Sequence, residues 1–165
     1  MSKPDPNTAI YFALFNEIAI IAQLSGSLFE RRLPEGFLVS HFAVLNHLVR
    51  LGDGRTPLQI ARAFQVPKTT MTHTLQGLEK AGLVAVVPNP KDGRSKCVML
   101  TDAGRAFRDQ AITDLGPDIA RIAAVIAPGR VADVLPLLGD LRAYLDGERN
   151  ETGGPTPGVR PRPES

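Results

Sequence analysis

The most constraining feature of this 165-residue chain is a change in the spacing of its apolar residues at Gly82. Before Gly82, apolar side chains recur every three or four residues, at Met71, Leu75 and Leu78, which predicts one buried face of a helix. After Gly82, the unbroken apolar run of residues 83–87 is typical of a strand. Because glycine adopts the left-handed conformation that ends a helix at little cost, we predict a helix that stops at Gly82 and passes directly into a hairpin.

A second short helix is predicted immediately before this one. Thr56 is the expected N-cap, Pro57 suits the first helical position, and Gln59 completes a capping box. This helix extends to about Phe64, and Pro67 then opens the following helix. The chain is therefore predicted to contain two short helices separated by a tight turn.

The hairpin completes a specific order of elements. Its strands are predicted at residues 83–87 and 96–100, with a polar, basic loop at residues 88–95 between them. Two short helices followed at once by a basic hairpin are the order of a winged helix-turn-helix. In that module the second helix enters the major groove of DNA, and the hairpin, or wing, reaches a neighbouring minor groove. The alternative is a helix and a hairpin that only pack against each other.

The distribution of charge favours an anionic partner for this segment. The formal net charge is only +2, but residues 54–96 carry seven cations and two anions, a local balance of +5 that leaves −3 for the remainder. The cations are Arg55, Arg62, Lys68, Lys80, Lys91, Arg94 and Lys96. Such a cluster is typical of nucleic-acid contact, although an ordinary solvated surface is the alternative explanation.

The outer face of the second short helix carries side chains suited to DNA. Before Glu79 this face has no acidic residue, and it presents a cation, two hydroxyls, an imidazole and an amide, from Lys68, Thr69, Thr72, His73 and Gln76. These groups can donate hydrogen bonds to phosphates and base edges. Together with Lys91, Arg94 and Lys96 in the wing, they form the predicted DNA-binding surface. The competing interpretation is a winged-helix module that binds protein, as an adaptor or assembly subunit, and such a module needs no basic wing.

The terminal helices predict a homodimer. Apolar residues line two stripes of a helix between residues 10 and 29, which is therefore expected to be buried on two sides. The last helix carries a leucine stripe from Val131 to Leu145, with a kink expected at Pro136. A monomer would expose these surfaces, and a two-fold dimer would place two recognition helices about one turn of DNA apart, matching a pseudo-palindromic operator. The alternative is that the terminal helices cover each other within one chain.

Several segments resemble the multiple-antibiotic-resistance regulator (MarR) family of winged-helix transcription factors. The most specific is the wing sequence Asp92-Gly93-Arg94 followed by Leu100-Thr101-Asp102-Ala103-Gly104. Phe42-Ala43-Val44-Leu45 and the segment from Leu78 to Val84 add to the likeness. The resemblance covers about residues 11–145. With the features above, it indicates a homodimeric transcriptional regulator, expected to be a bacterial repressor relieved by a ligand.

The resemblance also implies roles for single residues. It implies that Arg94 enters the minor groove, that Asp92 orients it, and that the first helix and the last two form the dimer interface. Pro67 stands where the family often has a capping Ser or Thr. The resemblance therefore implies that Thr69 or Thr70 contacts phosphate in its place.

An effector is a further implication of the resemblance. Members of this family often respond to a small, commonly aromatic and anionic ligand, bound between the dimer-forming and DNA-binding helices. By position, the candidate lining residues in this chain are Tyr11, Phe15, His41 and Arg62. The alternative is that each of them is an ordinary core or surface residue.

Other classes of function lack the residues they need. The single cysteine, Cys97, can form no internal disulfide and supplies no paired thiolates for structural zinc. His41 and His47 are off the spacing that places two imidazoles on one helix face, so no metal or other cofactor is expected. No nucleophile elbow or phosphate-binding glycine loop is present, so we expect no enzymatic activity. No signal peptide or membrane span is expected either, which predicts a cytoplasmic protein without a membrane partner.

The predicted architecture is a mainly α winged helix-turn-helix with a two-stranded β-hairpin wing and N- and C-terminal dimerisation helices. A single domain is expected at residues 1–147. Within it, the winged-helix part spans about residues 38–100, and the dimerisation helices span about residues 8–33 and 101–147. Residues 148–165 are rich in glycine, proline and charge, which predicts a disordered tail.

Overall fold

The computed structural model describes the backbone of residues 5–152 and the side chains of residues 5–148. Over this range the chain is mainly helical, with one two-stranded antiparallel sheet. It divides into two compact units, the first ending at Pro117 and the second beginning at Asp118. In chain order the elements are α1 (Pro6–Glu30), α2 (Val39–Leu51), α3 (Pro57–Ala63), α4 (Lys68–Lys80), β1 (Val84–Asn89), β2 (Asp92–Leu100), α5 (Asp102–Asp114), α6 (Gly116–Val125) and α7 (Pro128–Thr152).

Local caps set the boundaries of the helices around the turn and the wing, as predicted. The Thr56 hydroxyl accepts from the Gln59 N–H at 3.2 Å, and the Gln59 side-chain oxygen accepts from the Thr56 N–H at 2.9 Å, which confirms the capping box. Helix α4 ends at Lys80, and Gly82 follows with a φ of +72°. The Thr101 hydroxyl in turn accepts a backbone N–H at the start of α5. These caps place the two short helices and the hairpin in the predicted order.

The core of the first unit lies between α2, α3, α4 and the hairpin. The predicted inner face of α4 is buried, since Met71 and Leu75 are each 3% exposed and Leu78 is fully buried. This face packs on residues from every neighbouring element, namely Val44, Leu45 and Leu48 of α2, Ile60 and Ala61 of α3, and Leu83, Val84 and Val98 of the hairpin. Because burying one side chain of this size contributes about 1.5–3 kcal/mol, the cluster fixes α4 relative to the wing.

The wing has longer strands and a shorter loop than predicted. β1 and β2 pair antiparallel, and beyond a bulge Asn89 lies opposite Asp92. The predicted polar loop at residues 88–95 is therefore wrong, because only two residues connect the strands. The Asn89 amide donates to the Ser95 hydroxyl at 2.8 Å, and its oxygen accepts from the Lys91 N–H at 3.0 Å. The polar residues do not indicate a loop, because polar side chains are compatible with strand pairing in an antiparallel hairpin that faces water.

Backbone contacts that the sequence did not predict tie the wing to the start of α3. The Val98 N–H donates to the Arg55 carbonyl at 2.9 Å, and the Gly54 N–H donates to the Val98 carbonyl at 3.1 Å. The Asp53 carboxylate accepts from the Leu100 N–H at 2.8 Å. These bonds join positions more than 40 residues apart, with 47 residues separating Asp53 from Leu100. They anchor β2 beside the helix-turn-helix.

Helix α1 is exposed in the protomer. None of its side chains is buried, and Ile10, Phe12 and Leu24 are 68%, 71% and 65% exposed. This exposure agrees with the expectation that a monomer would leave the stripe uncovered, and burial of α1 on two sides stays a prediction for the dimer, because an apolar stripe is covered only where another surface packs on it. A large apolar surface remains exposed on α1.

Helix α7 belongs to the second unit. It runs from Pro128 to Thr152, contains the leucine stripe from Val131 to Leu145, and has Pro136 in its interior. The predicted disorder is therefore wrong for residues 148–152, while residues 153–165 lie outside the described residues. A single glycine such as Gly147 costs only about 1 kcal/mol relative to alanine inside a helix, and the charged residues after it are good helix formers.

Candidate nucleic-acid interface

The residues predicted to contact DNA all lie at the surface. Six belong to α4 and four to the hairpin, and every one is exposed: Lys68, Thr69, Thr70, Thr72, His73, Gln76, Lys91, Asp92, Arg94 and Lys96. Burial of the opposite face of α4 against the core keeps this polar face outward. The side chains are therefore accessible to a ligand as large as a DNA duplex.

The first turn of α4 offers hydrogen-bond donors. Pro67 is the N-cap residue, and its side chain cannot form a hydrogen bond. The first backbone N–H groups of α4 therefore receive no hydrogen bond from the N-cap side chain. The Thr72 hydroxyl donates to the Lys68 carbonyl at 2.8 Å, whereas the hydroxyls of Thr69 and Thr70 form no hydrogen bond within the described part of the chain. Uncapped N–H groups and hydroxyls at a helix N-terminus suit a phosphate.

Asp92 holds the backbone of the wing tip. Its carboxylate accepts from the Arg94 N–H at 3.1 Å, and its carbonyl accepts from the Ser95 hydroxyl at 3.2 Å. The Arg94 side chain itself is exposed. These bonds act on the main chain, so Asp92 fixes the point from which the Arg94 side chain projects. A fixed backbone with an exposed cation suits insertion into a narrow minor groove.

A cleft of about 190 Å³ joins the recognition helix α4 to the wing. Thr72 and Gln76 of α4 line it together with Lys96 of β2, and its other lining residues are Pro57, Leu75, Glu79 and Val86. A hydroxyl, an amide and a cation from the predicted set therefore meet at one surface. Lys91 lines a different cleft of about 630 Å³ at the base of the wing, beside Asp53.

Asp53 is a structural residue of the interface that the sequence did not single out. Its carboxylate anchors β2 through the Leu100 N–H, and its side of the wing carries Lys91. The only local signal is its place in the Gly52-Asp53-Gly54 turn, where aspartate is common for other reasons.

Comparisons with known proteins show what this chain is similar to. A profile of the MarR family matches residues 35–95, which hold α2, α3, α4 and β1. BldR from Sulfolobus solfataricus aligns over 88% of this chain and 99% of its own, with 24% identity and a TM-score of 0.68. A mutant of MarR from E. coli, complexed with operator DNA, aligns over 84% of this chain and 99% of its own, with 26% identity and a TM-score of 0.64. The winged-helix part of this chain is therefore similar to the MarR family in sequence and in fold. The predicted mainly α winged-helix fold is confirmed.

Part of the chain is also similar in sequence to a curated transcriptional regulator. The transcriptional activatory protein BadR of Rhodopseudomonas palustris is 36% identical over 73 residues. The match covers 43% of this chain and 42% of BadR, so the chain spans less than half the length of that relative.

A further cavity, of about 370 Å³, lies between α1, α2 and α3. Aromatic rings and polar side chains line it, among them Phe29, Phe42, Phe64, Asn46, His47 and Arg50. None of the four predicted effector-binding residues is among its lining residues. Tyr11 and Phe15 are exposed on α1, Arg62 is exposed on α3, and His41 packs against α4.

His47, which lines this cavity, has a buried ring nitrogen, Nε2, without a hydrogen-bond partner among the described residues. Burial, and then the charges of Arg55 and Arg50, lower the pKa of His47, so the ring is neutral at neutral pH. A buried nitrogen without a hydrogen bond lowers the stability of the fold. The sequence did carry a signal for this site, because Ala43, His47 and Arg50 recur at helical spacing on α2.

His41 contacts the recognition helix. Its Nδ1 accepts from the Leu38 N–H at 3.0 Å, and its ring stands edge-on to that of Phe37, with centroids 5.7 Å apart. A Cβ built on Gly77 would lie 3.0 Å from His41 Nε2, so the imidazole lies directly on the backbone of α4. Burial, and then the charge of His73, lower the pKa of His41. His41 therefore packs between the start of α2 and the backbone of α4.

The described residues offer no metal centre. Between residues 5 and 152, no three His, Cys, Asp or Glu side chains come close enough to hold a metal ion.

Proposed function

We propose that this protein is a MarR-family, homodimeric DNA-binding transcriptional regulator that acts on a pseudo-palindromic operator. The cleft shared by Thr72, Gln76 and Lys96 carries the proposal. It brings a base-reading amide on the recognition helix next to a cation on the wing, and such a surface can hold a phosphate backbone while reading base edges. The solved complex of the related E. coli MarR mutant with operator DNA supports the same use of the fold.

We expect the protein to bind duplex DNA from upstream of its own gene more tightly than a scrambled duplex of the same length. Affinity should fall steeply with salt, with a logarithmic slope of about −0.9 for each phosphate that the protein neutralises. Fluorescence anisotropy titrations of both duplexes at several salt concentrations measure both quantities.

The competing function is that of a winged-helix module which binds protein, as an adaptor or assembly subunit. No DNA binding, or binding that is equal for both duplexes and insensitive to salt, would favour it. The exposed cations Lys91, Arg94 and Lys96 argue against it, because a wing that docks on a protein has no general need for three of them.

The direction of regulation is proposed from the family resemblance. A repressor that a ligand releases from its operator is our first candidate. Because BadR is a transcriptional activatory protein, activation is the second. A reporter fused to the upstream region, with and without the gene for this protein, separates the two.

A small aromatic or anionic effector fits the cavity between α1, α2 and α3. Its volume of about 370 Å³ is within the range of small-molecule sites. Phe42 and Phe64 would contact an aromatic ring, and Arg50 would pair with a carboxylate. These residues line one cavity, which Tyr11, Phe15, His41 and Arg62 do not, and we propose them as the first residues to test for effector binding.

The exposed apolar surface of α1 supports the homodimer. A contiguous surface of this kind on one helix usually marks an interface. α1 also has the length and, with a mean hydropathy of 1.5, the apolar character of a membrane span. Dimerisation accounts for this surface without a membrane, and we propose a bacterial, cytoplasmic location, as a protein that acts on the chromosome requires.

We expect the double substitution Phe12→Glu and Leu24→Glu to convert a dimer into a monomer in light-scattering measurements at micromolar concentration. Both side chains are exposed on α1, and each would occur twice in a two-fold interface. Burial of such a side chain contributes about 1.5–3 kcal/mol, so four buried charges would abolish association. Leu51→Glu is the control, because Leu51 is exposed at the end of α2. A parent protein that is monomeric, or a double variant that stays dimeric, would contradict the proposed interface.

A further inference from the structure

The recognition helix contains a glycine at a point where it approaches α2 closely. Gly77 lies between Gln76, which faces outward, and Leu78, which is buried. A glycine inside a helix is destabilising relative to alanine, so its presence calls for a compensating contact. A Cβ at this position would lie 3.0 Å from Nε2 and 3.7 Å from Cδ2 of His41. The missing side chain therefore makes room for the imidazole ring.

The ring of His41 is held from its other side. Nδ1 accepts from the Leu38 N–H at 3.0 Å, and Phe37 packs edge-on against the ring at an interplanar angle of 77°. Because its pKa is lowered by burial and then by His73, the ring stays neutral at neutral pH and Nδ1 remains an acceptor. The imidazole thus acts as a fixed spacer between the first turn of α2 and the backbone of α4.

We propose that His41 is a positioning residue which, through its contact with Gly77, sets the placement of the recognition helix and with it the ratio of specific to non-specific DNA affinity. This inference rests on the proposed DNA-binding function. Gln76 directly precedes Gly77, and His73 lies one turn earlier on α4, so a displacement of the backbone at Gly77 moves both exposed side chains.

The two kinds of DNA contact respond differently to such a displacement. Added bulk at Gly77 would force its neighbour to move by a few tenths of an ångström. Hydrogen bonds to base edges depend on distance and angle and weaken when the helix moves. Contacts from long, flexible lysine and arginine side chains to phosphates adapt to the movement. Specific binding should therefore suffer more than non-specific binding.

A double-mutant cycle tests the proposal with the full chain. The parent, Gly77→Ala, His41→Ala and the double variant are each titrated with the upstream duplex and with a scrambled duplex, at a temperature where all four are folded. Gly77→Ala in the parent should lower the ratio of specific to non-specific affinity by roughly three- to tenfold. In the His41→Ala background the same substitution should change the ratio by less than about twofold, because the added methyl group occupies the space left by the ring.

The outcomes separate this inference from the proposed function. A parent that binds neither duplex overturns both. A parent with specific binding whose ratio is unchanged by Gly77→Ala overturns only the role of His41. An equal fall in the affinity ratio in the parent and in the His41→Ala background would also overturn the role of His41, because the effect would then come from the added methyl group without the imidazole. If His41→Ala fails to fold, His41→Gln replaces it, since a glutamine three residues after the N-cap can accept from the Leu38 N–H as in a capping box.

Discussion

Arg94→Ala is expected to weaken binding to every duplex, whereas Gln76→Ala is expected to weaken the specific complex alone. Arg94 is exposed at a wing tip whose backbone Asp92 fixes. Loss of its charge should reduce the magnitude of the salt slope by about 0.9 and relax any preference for a narrow, A·T-rich flank. Gln76 can pair with one base edge, so its loss should cost about 1–3 kcal/mol on the specific duplex, with an unchanged salt slope.

Titrations of both variants against specific and scrambled duplexes at several salt concentrations distinguish these results. Arg105→Ala is the control for Arg94→Ala, because it removes the same charge from an exposed position on α5, away from the predicted interface. Melting temperatures should stay close to that of the parent, since neither Arg94 nor Gln76 is buried. If Arg94→Ala binds like the parent at every salt concentration, the wing does not contact DNA and the protein-binding alternative gains weight.

The parts of the fold that were predictable are those determined by neighbouring residues. The cap at Thr56, the left-handed glycine at Gly82 and the buried face of α4 each follow from a few consecutive positions. Short-range rules of this kind fix where helices begin and end and which face they bury. They were sufficient to predict the winged helix-turn-helix and the exposed face of its recognition helix.

The parts that were not predictable depend on contacts between distant positions. Local composition suggested a long wing loop, but Asn89 bonds across the bulge to Ser95 and extends the pairing. The effector role that the family resemblance implies for His41 stays a prediction, but nothing near His41 in the sequence indicated that its ring packs on Gly77, 36 positions along the chain. No local pattern reveals which two positions will approach this closely.

Gly104 belongs to a local sequence pattern and also makes a close contact with a distant part of the chain. Its place in the Leu-Thr-x-x-Gly wing signature was visible in the sequence, but the reason for the glycine is visible only in the structure. A Cβ at this position would lie 2.0 Å from the Leu83 carbonyl oxygen and 2.9 Å from Leu100 Cδ1. The same carbonyl accepts from the Thr101 N–H at 3.2 Å, and the Thr101 hydroxyl donates to the Gly82 carbonyl at 2.7 Å. The first turn of α5 is thereby bound to the segment that leaves the recognition helix.

Gly104→Ala is therefore expected to destabilise the protein by roughly 3 kcal/mol or more. No rotation can relieve the overlap, because a Cβ has no torsion of its own and its nearest neighbour is a backbone oxygen. The backbones must separate, which weakens the bonds of Thr101 and opens the core beside Leu83. Urea unfolding at a fixed protein concentration measures the change, and Gly116→Ala is the matched control, because a Cβ at Gly116 meets nothing within 4 Å. Equal unfolding midpoints for the two variants would show that the close approach of α5 to Leu83 does not exist in solution.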